Sequence, residues 1–193
     1  MSEVTKRALE ASLKNLLLQK PLDKITISDI AEDCGISRMT FYYHFRDIYD
    51  LVEWSCAEDA TRALAGKKTY DTWQQGFLQI FEAVLYNKPF ILNVYHSVSR
   101  EQVELYLYKL TYDLLIGVVE EKAAGMCVRE EDKAFIADFY KFAFVGLMLD
   151  WIRGGMQADP RQIIGRLSLL MHGNILRALE SCRTDAVLSK SDF

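Results

Sequence analysis

Proline is nearly absent from this chain: three residues in 193. No alternating Val/Ile/Thr run bounded by turns occurs either, so helices meet few breakers and strands are not expected. Histidine is equally scarce. His44, His96 and His172 lie far apart and have no obvious carboxylate or cysteine partner. There is no G-x-S-x-G, no P-loop and no H-E-x-x-H, so an enzyme is not expected. Four cysteines (Cys34, Cys56, Cys127, Cys182) follow no C-x-x-C spacing. That excludes an evident zinc set, and the expectation is reduced, buried thiols and no cofactor; a redox-sensing role is the lesser alternative. No apolar run approaches the roughly 20 residues of a membrane span, and no signal peptide opens the chain, so no membrane partner is expected and the expected location is cytoplasmic. A basic excess is lacking too, since the formal net charge is −4. This argues against a nonspecific nucleic-acid coat. It leaves room for a specific reader, whose docking face alone must be positive.

What the chain does have is helical periodicity throughout, with half of its residues hydrophobic. The spacing predicts a first helix over 3–19, with Leu9, Leu13, Leu16 and Leu17 on one stripe and Lys6, Arg7 and Lys14 on or near its outer face. A connecting helix is expected over 47–64, then a loop at Gly66-Lys67-Lys68. Asp71 with Gln74 caps a helix that carries Trp73, Phe77, Ile80 and Phe81. Asn87 and Pro89 break it, and a short apolar helix follows over 90–94. Ser99 with Gln102 opens a long helix ending at Gly125. Another spans 132–153, closed by Gly154-Gly155. Asp159-Pro160 starts the last, with proline at N1 where a missing N–H costs nothing. The expected class is all-α, about nine helices, with a fraying polar end after Thr184.

The most informative segment is 26–45, TISDIAEDCGISRMTFYYHF. Thr26 and Asp29 stand at capping-box spacing. Gly35 can take the left-handed conformation that ends a helix. Ser37 then caps a second helix, where Phe41 and Phe45 share a face. Two short helices so joined are a helix-turn-helix, whose second helix fits the major groove. No acid lies between Ile36 and Arg46. Arg38 can pair with guanine; hydroxyls and tyrosines reach phosphates. The candidate DNA-binding residues are Thr26, Ser37, Arg38, Met39, Thr40, Tyr42, Tyr43, His44 and Arg46. Periodicity alone leaves open a plain helical hairpin with half-buried aromatics.

The segment resembles the DNA-binding signature of the TetR/AcrR family of bacterial transcription regulators. The resemblance runs through Thr26, Ile30-Ala31, Gly35-Ile36-Ser37, the run Phe41-Tyr42-Tyr43-His44-Phe45, and Leu51, about a quarter of the chain. It implies an N-terminal three-helix reading domain (1–46), a helical regulatory and dimerisation domain (47–193, with 47–65 as connector), a homodimer and usually a small-molecule inducer. One position departs. The family usually carries a lysine at the start of the next helix, and this chain has Ile48. Asp47 as N-cap with Asp50, backbone N–H groups and Arg46 are the expected substitutes for that phosphate contact. The order of later elements, with Tyr70 and Trp73, is similar to members that regulate dihydroxyacetone-kinase operons.

Phe135, Phe139, Phe142 and Leu149 on one long helix, with Ile163, Leu167 and Leu170 on the next, exceed what one packed face needs. Gly146, Gly165 and Gly173 suggest close helix approach. The expectation is a two-fold dimer reading an inverted-repeat operator in double-stranded DNA. Aromatics with polar handles suggest an effector pocket, for which Trp73, Phe77, Tyr112 and Phe139 are the candidates. The expected function is a dimeric, ligand-responsive repressor. The alternative is an activator or co-regulator of the same fold, controlled by a partner protein.

Overall fold

A computed structural model describes residues 2–63, 72–97 and 100–185. Among them are ten α-helices and no sheet: α1 (Ser2–Leu17), α2 (Ile27–Asp33), α3 (Arg38–His44), α4 (Ile48–Ala63), α5 (Trp73–Tyr86), α6 (Lys88–Ser97), α7 (Arg100–Ala123), α8 (Glu130–Arg153), α9 (Pro160–Met171) and α10 (Asn174–Ser181). A 3₁₀ turn, Leu22–Lys24, follows α1. The predicted loop at 66–68 and the caps at Asp71 and Ser99 lie outside the described residues.

Two boundaries differ from the sequence pattern. The break expected at Asn87 and Pro89 is present, since α5 ends at Tyr86, but the next helix is longer than 90–94: α6 runs Lys88–Ser97, with Pro89 in its first turn, where a missing N–H is tolerated. The expected final helix is two. Gly173 takes φ 73°, a left-handed value that ends α9 and starts α10. A Cβ added at Gly146 or Gly165 would meet nothing within 4 Å. Among the described residues, therefore, neither glycine serves close helix packing.

The chain divides into two compact units, Met1–Arg62 with Ala83–Tyr106, and Ala63–Glu82 with Leu107–Phe193. The first is built on the leucine stripe of α1. Leu9, Leu13 and Leu17 meet Ile30 of α2, Phe41 of α3, Leu51 and Val52 of α4, and Phe90 and Val94 of α6. Helix α6 thus belongs to the same core as α1–α3, which a boundary at residue 46 does not foresee. Its polar link is Asn93. The Asn93 side chain accepts the Leu22 N–H at 3.0 Å and donates to the Leu17 carbonyl at 3.2 Å. One amide so satisfies two backbone groups freed where α1 ends.

The same unit holds a charged cluster. Lys14 Nζ lies 2.8 Å from Asp59 and 2.7 Å from Glu10, a carboxylate only 8% exposed. Arg62 reaches Glu10 at 3.2 Å and Asp59 at 3.1 Å. Lys14 is consequently a half-buried tie between α1 and α4, not part of an outer face. Burial opposes its charge, but the hydrogen bonds it donates to Asp59 and Glu10, with their negative charges, outweigh burial and raise its pKa.

The second unit packs aromatics. Phe77 stacks on Phe144 with centroids 3.8 Å apart, and Phe81 meets Trp151 at 4.9 Å. The Trp151 indole donates to the Ala158 carbonyl at 2.8 Å, closing the α8–α9 turn. Helix α9 starts as expected, with Asp159 accepting the Arg161 N–H at 2.9 Å and Pro160 at N1.

Candidate nucleic-acid interface

Helices α2 and α3 have seven residues each, too few to persist alone in water. Their ends are therefore tied chemically. Thr26 Oγ1 accepts the Asp29 N–H at 3.1 Å, and Asp29 Oδ2 accepts the Thr26 N–H at 2.7 Å, a complete capping box. Lys20 adds a charge at 2.8 Å from the same carboxylate. The Lys20 hydrogen bond, then those from Thr26, hold the Asp29 carboxyl at about 2 instead of 3.8. At the other end Gly35 has φ 65°. Its N–H reaches Glu32 O at 3.1 Å, and that of Ile36 reaches Ala31 O at 2.9 Å. This is a Schellman turn, which only a residue indifferent to positive φ makes without strain.

The turn hands the chain to α3. Ser37 Oγ accepts the Thr40 N–H at 3.1 Å and lies 2.9 Å from the Thr40 hydroxyl. Phe41 is fully buried and Phe45 nearly so, with ring centroids 6.0 Å apart. Those two rings orient the helix. Everything opposite them is left in solvent: Arg38, Met39, Tyr42 and Tyr43, of which Tyr43 is 83% exposed. His44 is half-buried, its ring edge-on to Tyr43 at 5.1 Å. A short helix with arginine at its start and exposed Tyr and Met along one side has the shape and chemistry of a groove reader. Thr26, Ser37 and Thr40 stand apart from the others, because their hydroxyls are engaged at the helix caps.

The flanks complete the surface. Asp47 Oδ1 accepts the Asp50 N–H at 2.9 Å, and Asp50 Oδ2 accepts the Arg46 N–H at 2.9 Å. The expected cap of α4 is present. Ile48, at the position of the missing lysine, packs against the core. Arg46 keeps its side chain 83% exposed, loosely paired with Asp50 at 3.5 Å. Lys6 differs from expectation. Its ammonium lies 5.4 Å from the Trp54 ring and 5.7 Å from the Phe45 ring, so it braces the base of α3 instead of standing free. Arg7 is exposed.

Sequence reasoning missed the supports of this surface, Asn93 and the Lys14–Glu10–Asp59–Arg62 cluster. Only the spacing of Glu10 and Lys14, four apart, hinted at the latter. The effector candidates stand in different settings. Trp73 and Phe77 are buried edge to face at 5.8 Å. Tyr112 is half-buried beneath Lys141 at 5.4 Å. Phe139 is 62% exposed. The cysteine expectation also changes, because Cys127 is exposed.

A capped helix-turn-helix on an all-helical body defines a DNA-binding transcription regulator. Residues 9–53 match bacterial regulatory proteins of the tetR family, and residues 71–173 match the transcriptional regulator C-terminal region, so the chain belongs to the TetR family. Among known relatives is the HTH-type dhaKLM operon transcriptional activator DhaS of Lactococcus lactis subsp. lactis (strain IL1403), 23% identical over 160 residues, 80% of this chain and 82% of that protein. The uncharacterized HTH-type transcriptional regulator YerO of Bacillus subtilis (strain 168) is 26% identical over 126 residues, 58% of this chain and 43% of its own. The solved structure of the dihydroxyacetone kinase operon activator DhaS superposes with TM-score 0.70 at 19% identity, covering 94% and 99% of the two chains. NalD of Pseudomonas aeruginosa, the secondary repressor of the MexAB-OprM multidrug efflux pump, gives 0.58 at 16%, covering 92% and 98%. No helix among the described residues is long and apolar enough to cross a membrane.

Proposed function

We propose that this regulator works as a cytoplasmic homodimer, each copy placing α3 in the major groove of one half of an inverted-repeat operator. The observation that carries it is the division of α3 into an anchored side, Phe41 and Phe45, and a solvent side, Arg38, Met39, Tyr42 and Tyr43. Arg38 and Tyr43 read bases. Ser37, Thr40, His44 and Arg46, with the α4 N-terminus, hold phosphates. The dimer face is that of α8 and α9, where Phe135, Phe139, Phe142, Leu169 and Leu170 lie exposed in one chain. Exposed Gly146 and Gly165 would let a second copy approach closely there.

Two inputs were open from the sequence, an inducer and a partner protein. Two of the effector candidates are themselves packed, Phe77 stacked on Phe144 and Trp73 edge-on to Phe77, which supports the second. The naming of DhaS as an activator supports activation as the sign of regulation. The decisive experiment is genome-wide footprinting of the purified protein at moderate salt. The expected result is protection of palindromes whose half-sites are about 10 base pairs apart, one helical turn. Uniform occupancy without sequence preference overturns the reading. A metabolite that raises the melting temperature and releases the operator restores the inducer.

A further inference from the structure

We propose that Cys127 and Cys182 are a redox pair, closing on oxidation to a disulfide that staples the turn before α8 to the end of α10. The placement comes from an isolated antiparallel bridge between Val128 and Arg183. Thr184 fixes it, donating its N–H and its hydroxyl to the Cys127 carbonyl at 2.9 and 3.0 Å. Residues 127–129 therefore run against 184–182. The bridge sets Cys127 opposite Thr184, and Cys182, the residue before Arg183 and the C-cap of α10, enters the same crossing from the facing segment. The charges put each sulfur near the facing segment. Arg129 is held mainly by Asp132 and Glu131 but also senses the Cys182 sulfur, and Arg183, held mainly by Asp185, senses Cys127.

Both thiols are free. Cys127 is exposed and Cys182 half-buried, so an oxidant reaches the first and finds the second behind it. The other two cysteines pack against the core of the first unit, and burial pushes the Cys56 thiol up to about 12. Those are poor nucleophiles by contrast. Diagonal neighbours across an antiparallel pair lie about 7–8 Å apart, slightly beyond the reach of a disulfide. Closure therefore needs a small shift. Cys182 is the C-cap of α10, the position where a helix gives way first.

The reaction balances with a hydroperoxide as oxidant. The Cys127 sulfur attacks the terminal peroxide oxygen, the O–O bond breaks, and a sulfenic acid forms as the alcohol leaves with a proton. The Cys182 sulfur then attacks the sulfenic sulfur. The S–S bond forms, the S–O bond breaks, and the hydroxyl leaves as water with the Cys182 proton. Two electrons pass from the sulfurs to the peroxide, and a dithiol reverses the change.

The test uses the reduced full-length protein treated with one equivalent of tert-butyl hydroperoxide, then digested without reductant. Expected are a peptide joining Cys127 to Cys182, a mass loss of about 2 per chain, and a melting temperature raised by several degrees until dithiothreitol is added. Cys127→Ser and Cys182→Ser should each abolish all three. Cys127→Ser changes an exposed side chain, so an unaltered helical circular dichroism spectrum will show that folding is not the cause. Sulfinic acid at Cys127 with Cys182 still free, a Cys127–Cys127 link between chains, or no reaction overturns the proposal. None of these readouts depends on DNA.

Discussion

Two parts of this molecule leave large apolar side chains in water, and they do it differently. On α3, Met39 and Tyr43 stand among Arg38, Tyr42 and His44, so apolar area is interleaved with groups that donate hydrogen bonds. On α8 and α9, Phe135, Phe139, Phe142, Leu169 and Leu170 carry no polar tip at all. The first surface suits a partner with phosphates and base edges; the second suits another apolar face. The supports differ as well. The two seven-residue helices of the reader each have a side-chain cap, whereas the 24-residue α8 has none at Arg129. A long helix carries its own backbone bonds; a short one borrows order from caps and core.

The largest expected effect breaks the bare face. Phe139→Glu with Leu170→Glu should yield monomers in sedimentation, because four charges per dimer replace side chains whose burial contributes about 1.5–3 kcal/mol each. Operator affinity should fall by at least about 100-fold, since a single half-site remains. A double variant that stays dimeric would place the interface elsewhere.

Cutting the reader's scaffold comes next. Lys14→Met leaves Glu10 and Asp59 without their main partner, and should cost roughly 2–3 kcal/mol in urea unfolding. The raised pKa sets the pH dependence. The lysine contribution is complete below its ordinary 10.5 and is lost as pH rises through the higher folded value. A wild-type loss that begins at neutral pH would contradict this.

The reading face itself should show smaller but discriminating changes. Tyr43→Ala and Arg38→Ala are expected to weaken specific operator binding by about 1–3 kcal/mol and random DNA by less. Thr40 and His44 substitutions should cost affinity on every sequence alike. Equal losses on both DNAs for Tyr43 and Arg38 would remove them from base reading.

How much of this was legible in the sequence depends on how local the physics is. The capping box at Thr26, the turn at Gly35 and the caps at Ser37, Asp47 and Asp159 were all readable, because each is made by residues within four positions. Family resemblance added the reading role of α3. Contacts across long stretches were not readable. Nothing in the apolar run of α6 announces that Asn93 will close the end of α1, more than 70 positions away. The pairing of Lys14 with Asp59 is equally nonlocal. Phe139 was placed beside Trp73 and Phe77 because aromatic spacing reveals a helical face without saying which neighbour it meets.

The smallest predicted effect tests whether the caps of the reader work by charge or by shape. Asp29→Asn preserves size and one acceptor but removes the charge that Lys20 and the Thr26 N–H stabilise. The folded carboxyl titrates at about 2 and the ordinary one at 3.8, so its stabilisation is complete above 3.8 and disappears as pH falls through 2. The wild type should unfold at higher urea than the variant at pH 7, and the two curves should converge near pH 2. Added salt should narrow the gap at pH 7, because both partners are a third exposed and screened. A gap that persists unchanged to pH 2 would assign the cap to geometry alone. The same substitution should leave sedimentation unchanged, since α8 and α9 owe nothing to a cap on α2.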